Sequence, residues 1–114
     1  MTTTIRKSTK NITVVMSGIA KRSSEFDLKA AYYAQHVPSI GSHYLILADG
    51  DVIKGRDHAT HGNVHPQFNR DSVYVELMGV EASGITEHQR VALRGVISRL
   101  QEIYPQAEEL DLTN

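Results

Sequence analysis

The chain has 114 residues, with 12 lysines and arginines against 13 aspartates and glutamates, six histidines and no cysteine. This length provides one domain, and the near-neutral charge argues against a protein that binds nucleic acid directly through a basic surface. The lack of cysteine excludes disulfides, thiolate nucleophiles and cysteine ligands for zinc. No apolar run approaches the roughly 20 residues of a membrane span, and the polar start is unlike a signal sequence, so we expect a cytoplasmic protein without membrane contact.

The first half of the chain predicts strand, helix and hairpin in that order. The β-branched segment 11–16 indicates a buried strand, and apolar residues at helical spacing indicate a helix over residues 25–36. Residues 43–54 predict a β-hairpin, because the Asp49-Gly50 pair supplies the positive φ angles of a tight turn. The four tyrosines before residue 75 are assigned to core and sheet packing: Tyr32, Tyr33, Tyr44 and Tyr74.

The second half predicts a long loop, a central strand, a helix and an edge strand. Residues 55–71 are polar and rich in turn formers, which is typical of a functional loop, and residues 72–79 alternate as a strand does. Thr86 and Gln89 have the spacing of a capping box that opens a helix to residue 104. Leu110 and Leu112 favour an edge strand in the tail. The order of elements predicts an α/β domain with a mixed β-sheet flanked by helices.

Several short motifs resemble one family when taken in their order along the chain. They are Ser-His-Tyr-Leu-Ile at 42–46, Asp-Gly at 49–50, Gly-Arg-Asp at 55–57, Ala-Thr-His-Gly at 59–62, and Asn69 followed by the strand 72–79. Together they resemble the type 2 zinc-dependent N-acetylmuramoyl-L-alanine amidases, which include phage lysozymes of amidase type and the peptidoglycan recognition proteins. The resemblance covers about residues 11–104. It implies a single amidase-like domain over residues 1–114, with 1–10 as an N-terminal arm and 105–114 as a short tail.

The resemblance implies a zinc site formed by two histidines and a cysteine or aspartate. The first histidine of the family ends the first strand in a Val-Ile-His-x-Ser/Thr-like segment, with which we align Met16, and a thioether is a poor zinc ligand. The second histidine follows the long helix, where residues 106–114 contain none, and the chain ends before the third ligand. We therefore expect no metal cofactor and a degenerate, truncated amidase without hydrolytic activity.

Glu76 matches the glutamate that serves as general base in several members of the family, so it is a candidate remnant of the catalytic site. The alternative is a strand glutamate that pairs with Arg56 or lies exposed on the sheet. A serine acyl-transfer enzyme built on Ser17, Ser42 and His43 is a weaker hypothesis, because the sequence shows no nucleophile elbow and no orienting acid.

The histidines of the long loop allow two interpretations. His58, His61 and His65, with or without His43, could form a rebuilt metal site with an open position. The simpler interpretation makes His43 a buried residue bonded to the loop and His61 a groove residue, and it puts His58 and His65 on the surface.

The hypothesis that follows is a catalytically inactive, phage-encoded, amidase-like protein. It would use the former substrate groove or its rim to bind and inhibit a host or phage protein, with RNA polymerase or a defence protein as candidates. One alternative is a module that binds a small ligand, either a muropeptide or a nucleotide or other metabolite. A second is an active amidase with a rebuilt metal site. The predicted groove residues are Met16, Ser42, His43, Arg56, His58, His61, His65, Asn69 and Glu76.

Overall fold

The computed structural model describes residues 7–16, 41–78 and 84–113. Within them lie five strands and one helix. They are β1 (Asn11–Met16), β2 (Tyr44–Ile46), β3 (Val52–Lys54), β4 (Ser72–Leu77), α1 (Glu87–Ile103) and β5 (Glu108–Asp111). The helix expected over residues 25–36, together with Tyr32, Tyr33 and Ser17, lies outside the described residues.

The strands form one mixed sheet in the order β3-β2-β4-β1-β5. Strands β2 and β3 are the antiparallel hairpin, while β4 pairs in parallel with both β1 and β2, and β5 pairs in parallel with β1. The α/β class, the central position of the strand that starts at Ser72 and the edge strand in the tail are therefore confirmed. Gly50 has a φ of 91° in the hairpin turn, whereas Asp49 does not have a positive φ, so the glycine alone supplies the positive φ that the pair was predicted to provide.

The sheet has two faces because successive side chains of a strand point to opposite sides. One face packs on α1, where Val14, Val75 and Leu77 form a core with Leu93 and Ile97 of the helix. The other face, which we call the Glu76 face, carries the side chains between these. They are Thr13 and Val15 of β1, Leu45 of β2, and Tyr74 and Glu76 of β4. Of the predicted groove residues, Glu76 lies on this face and bonds to Ser42.

Helix α1 begins at the capping box that the sequence predicts. The Thr86 side chain accepts from the Gln89 backbone N–H at 3.0 Å, and the Gln89 side chain accepts from the Thr86 backbone N–H at 3.0 Å. The buried Gln89 amide also donates to the carbonyls of Ile46 and Met78, at 3.1 and 2.8 Å, which ties the helix start to the ends of β2 and β4. In the described part of the chain, no helix is long and apolar enough to cross a membrane.

Replacing Gly95 with alanine should stabilise the protein by about 0.5–1 kcal/mol, because glycine in a helix interior costs that much relative to alanine. A Cβ at this position meets no atom within 4 Å, so the substitution introduces no clash. Urea unfolding of dilute protein, followed by circular dichroism, would measure the gain. A loss of stability would mean that Gly95 has a packing role in the monomer.

Candidate functional site

His43 lies at the start of β2 and is fully buried. Its Nδ1 accepts a hydrogen bond from the backbone N–H of Tyr74 at 2.9 Å, so Nδ1 carries no proton. Its Nε2 lies 2.9 Å from the carbonyl oxygen of Thr60, and Nε2–H must therefore be the donor. The ring is a neutral tautomer with both nitrogens engaged. This confirms the interpretation of His43 as a buried histidine bonded to the loop.

Tyr74 joins the Glu76 face to the loop formed by residues 55–71. Its buried ring lies nearly parallel to the His43 ring, with centroids 6.2 Å apart, and Gly62 packs against it. Its hydroxyl lies 2.8 Å from Asn69 Oδ1 and 3.1 Å from the carbonyl oxygen of His65. Tyr74 is therefore a core residue, as predicted, and it also positions the far half of the loop.

Alkaline pH should destabilise the protein in a defined window. Burial raises the pKa of Tyr74 to about 12, above the ordinary tyrosine value of 10.0 expected for the unfolded chain. As the pH rises, the unfolded state loses this proton before the folded state does. The contribution of Tyr74 to the free energy of unfolding is therefore fully present below pH 10.0 and declines as the pH rises towards about 12. Thermal melts at a series of pH values would show a steeper decline for the wild type than for Tyr74→Phe. Equal slopes would contradict the assignment to Tyr74.

Glu76 is half-buried on the central strand and accepts a hydrogen bond from Ser42 Oγ at 2.7 Å. Ser42 is fully buried, so its hydroxyl fixes one oxygen of the carboxylate. Arg56 donates from Nη1 to the carbonyl oxygen of His61 at 2.8 Å. The sequence offered Arg56 as the partner of Glu76, and the hydrogen bond that the structure gives Glu76 comes from Ser42 instead. Ser42 and Glu76 thus lie together, as two groove residues should.

Two more predicted groove residues organise the loop. Asn69 Oδ1 accepts from the backbone N–H groups of Val64 and His65, at 3.0 and 3.1 Å. Arg56 holds the loop near His61 by the hydrogen bond described above. The His61 ring is half-buried, and His65 is exposed, as expected. Asn69 and Arg56 therefore shape the rim through backbone contacts, while the histidine rings border it.

His58 is not the simple surface residue that the sequence suggested. It is half-buried, and its Nε2 lies 2.6 Å from the hydroxyl of Tyr44 while its Nδ1 lies 2.9 Å from the hydroxyl of Tyr104. The prediction failed because Tyr104 is 46 residues away and follows α1, so no local pattern reports the contact. The His58 ring also lies edge-on to the His43 ring, with centroids 6.3 Å apart, while its partner Tyr44 packs on the α1 face.

Met16 does not lie on the Glu76 face. Val14 packs on α1, and by alternation Met16 points to that side too, whereas Val15 pairs with Glu76 across the β1–β4 ladder and shares its face. A Val-Ile-His-x-Ser/Thr-like segment counted back from Ser17 also puts the histidine position at Val15. The assignment of Met16 to the groove was therefore wrong by one residue. Val15 is the residue that the sequence interpretation missed.

In the part of the chain that the structure describes, the residues beside Glu76 on the sheet do not have the chemistry of zinc ligands. Leu112 donates its backbone N–H to the carbonyl of Val14 at 2.8 Å, which continues the β5 ladder and puts Leu112 on the face of Val15. Valine and leucine side chains have no lone pair to offer a metal. Among the described residues, no three histidine, aspartate or glutamate side chains are grouped as metal ligands would be. This includes the histidines of the loop.

Comparisons with known proteins agree with this architecture. The sequence model of the family "N-acetylmuramoyl-L-alanine amidase" matches residues 7–111. The endolysin of Enterobacteria phage K11 is 38% identical over 74 residues, which span 60% of this chain and 49% of that protein, so the match covers about half of its length.

Solved structures of this fold superpose over nearly the whole chain. The Ph2119 endolysin from a Thermus scotoductus bacteriophage gives a TM-score of 0.73 at 21% identity, covering 96% of this chain and 75% of that one. Drosophila peptidoglycan recognition protein SD gives 0.77 at 14% identity, covering 97% and 73%. The recognition proteins LCa and LCx, solved with tracheal cytotoxin, give 0.77 at 18% identity, covering 97% and 75%. With the family model spanning most of its length and the same fold around Glu76, this chain belongs to the N-acetylmuramoyl-L-alanine amidase family.

Proposed function

We propose that this chain binds a ligand on the Glu76 face without hydrolysing it through the zinc chemistry of its family. The observation that carries the proposal is the pairing of Val15 with Glu76 at the end of β1. An aliphatic side chain stands where the family pattern has a histidine, and Leu112 extends the same apolar surface. Ser42 and His43 are buried and order this part of the face, and the half-buried Glu76 is the member of the set that a ligand can reach.

A peptidoglycan fragment is the ligand class that the site fits best. Glu76 has one oxygen fixed by Ser42, and within the described residues its other oxygen is available to an N–H or O–H donor of a muropeptide. Val15 itself is buried, and Leu112, half-buried on the same face, is the apolar neighbour that suits a methyl group such as those of lactyl and alanyl units. Support also comes from the relatives, which include recognition proteins solved with tracheal cytotoxin.

The test is a calorimetric titration with an N-acetylmuramoyl tripeptide. We expect saturable binding, and we expect Glu76→Gln to raise Kd about tenfold, since a hydrogen bond to a charged group contributes more than about 1 kcal/mol. Glu102→Gln, on an exposed position of α1, is the matched control and should leave Kd unchanged. Absence of binding, or equal binding by the wild type and Glu76→Gln, would reject the muropeptide as the ligand.

A protein partner is the second candidate function, in line with the expectation of a host or phage target such as RNA polymerase or a defence protein. The observation that favours it is Met16, a large apolar side chain that is 40% exposed at the end of β1. Titration with purified host RNA polymerase should give a complex that Met16→Ser weakens. A polymerase that binds both forms equally, or neither, would remove this candidate partner.

A further inference from the structure

Helix α1 carries a second stripe of residues besides the one that packs on the sheet. Its members recur at intervals of three and four residues: His88, Val91, Ala92, Gly95, Val96 and Arg99. We call this set the outer stripe. Val91 is 65% exposed, which is unusual for a large apolar side chain in the middle of a helix. Ala92 and Val96 are half-buried because they also pack on the sheet core, so Val91 supplies the exposed apolar area of the outer stripe.

The outer stripe borders two clefts that meet at Ala92. One has a volume of about 380 Å³ and is lined by Tyr44, Ala92, Gly95, Val96, Arg99 and Leu100. The other, of about 370 Å³, is lined by Asp49, Gly50, Glu87, His88, Val91 and Ala92. Ala92 lines both, so the two clefts adjoin at this residue, and we call them together the groove between the helix and the β2–β3 hairpin.

Small residues stand at the middle of this groove. Nothing lies within 4 Å of a Cβ built on Gly95, and Ala92 is the next residue of the stripe towards the helix start. The glycine costs helix stability without serving packing among the described residues. Small side chains at a crossing point let two helices approach to the short end of the roughly 8–10 Å range of interaxial distances. The stripe is therefore shaped to receive another helix.

The charges at the two ends of the groove indicate that the helix it receives is α1 of a second copy of this chain. Arg99 lies at one end, and Asp49 and Glu87 lie at the other. Glu87 already pairs with Arg90 of its own helix at 3.4 Å, so Asp49 supplies the negative charge that this pair does not neutralise. If a second copy packs antiparallel about a two-fold axis between Ala92 and Gly95, each Arg99 meets the acidic end of its partner. The same axis puts Val91 of one copy against Val96 of the other, beside the cleft. A surface that is complementary to itself in charge and shape is what a two-fold interface requires.

From this geometry we infer that the outer stripe of α1 is the contact surface of a symmetric dimer of this chain. The inference is independent of the proposed ligand, because the stripe lies on the α1 side of the sheet and Glu76 lies on the other side. Both Glu76 faces stay open in such a dimer. Two open sites in one particle would strengthen attachment to a polymer that repeats its ligand, as peptidoglycan does.

Sedimentation equilibrium tests the dimer between about 10 µM and 1 mM, a range suited to a small interface. We expect the average mass to rise towards twice the 12.7 kDa of one chain. Gly95→Trp should abolish this rise, because its indole would occupy the crossing point, and a Cβ at this exposed position meets no atom of the monomer within 4 Å. Gln101→Trp, an exposed position outside the stripe, is the matched control and should dimerise as the wild type does. A wild type that stays monomeric, or a dimer that tolerates Gly95→Trp, would overturn the inference.

A mixing experiment with two charge-changed variants tests the antiparallel charge pattern. It also distinguishes this pattern from non-specific association. Arg99→Glu alone sets acidic groups against each other, and the double variant Asp49→Asn/Glu87→Lys sets basic groups against each other. Each should weaken its own dimer about tenfold or more. Mixed in equal amounts, the two should recover the wild-type mass curve, because every end then faces its opposite. Failure of the mixture to associate, while the wild type does, would refute the two-fold arrangement.

Discussion

Replacing Gly62 with alanine should destabilise the protein by about 3 kcal/mol, the upper part of the range for overpacking a core. A Cβ on Gly62 would stand 2.3 and 2.5 Å from Cδ2 and Cε2 of the Tyr74 ring. The ring cannot easily move aside, because it is fully buried and its hydroxyl is bonded to Asn69 and the His65 backbone. Chemical unfolding monitored by circular dichroism measures the loss.

Two comparisons isolate the clash from the general effect of the substitution. Gly95→Ala is the same chemical change at a position with open space, and it should stabilise. Tyr74→Leu removes the ring, so the double variant Gly62→Ala/Tyr74→Leu should lose less stability than the sum of the single variants. If Gly62→Ala unfolded at the same denaturant concentration as the wild type, the close contact of loop and ring would be wrong.

Replacing His43 with leucine should also cost about 3 kcal/mol. Leucine fills a similar volume, but it leaves the Tyr74 N–H and the Thr60 carbonyl buried without their partner, and each such group costs about 1–3 kcal/mol. The cost would appear as a lower midpoint of urea unfolding. Loss of the loop anchor should also raise hydrogen exchange at residues 59–62, because Thr60 is held there by the imidazole.

His43→Asn serves as the conservative variant. Its side-chain oxygen can take over the position of Nδ1 and accept from Tyr74, while the Thr60 contact is lost, so we expect an intermediate stability. If asparagine and leucine destabilised equally, the hydrogen bond to Tyr74 would contribute nothing measurable. Full stability of His43→Leu would contradict the structural role of the imidazole altogether.

Elements with local signals could be read directly from the sequence. The Asp-Gly turn at Asp49 and Gly50, and the capping box of Thr86 and Gln89, involve residues that are close in the chain, and both appear as predicted. The central position of β4 was also predictable, since residues 73–77 alternate with apolar character on the helix side. For the turn and the capping box, the interaction that stabilises the element is set by neighbours in sequence, whereas for β4 only the alternation is local and the pairing with β1 and β2 is not.

The composition of the site depends on contacts that no local pattern reports. Whether Val15 or Met16 faces Glu76 follows from the register of β1 on β4, which joins residues about sixty positions apart. The bond between His58 and Tyr104 likewise depends on how the loop meets the end of α1. The burial of His43 and its bond to the loop of residues 55–71 were predictable, because this histidine begins the first strand of the hairpin and the polar loop follows the second. Ser42 as the partner of Glu76 required the three-dimensional structure.

Zinc titration combined with a muropeptide cleavage assay tests the central claim most directly. Because Val15 and Leu112 offer no ligand beside Glu76, the wild type should bind no stoichiometric zinc in calorimetry and should leave the bond between muramic acid and L-alanine intact. Mass spectrometry of the muropeptide, with and without added zinc, shows whether this bond is cleaved. One tightly bound zinc per chain together with released peptide would contradict the account and would establish an amidase with a differently built metal site.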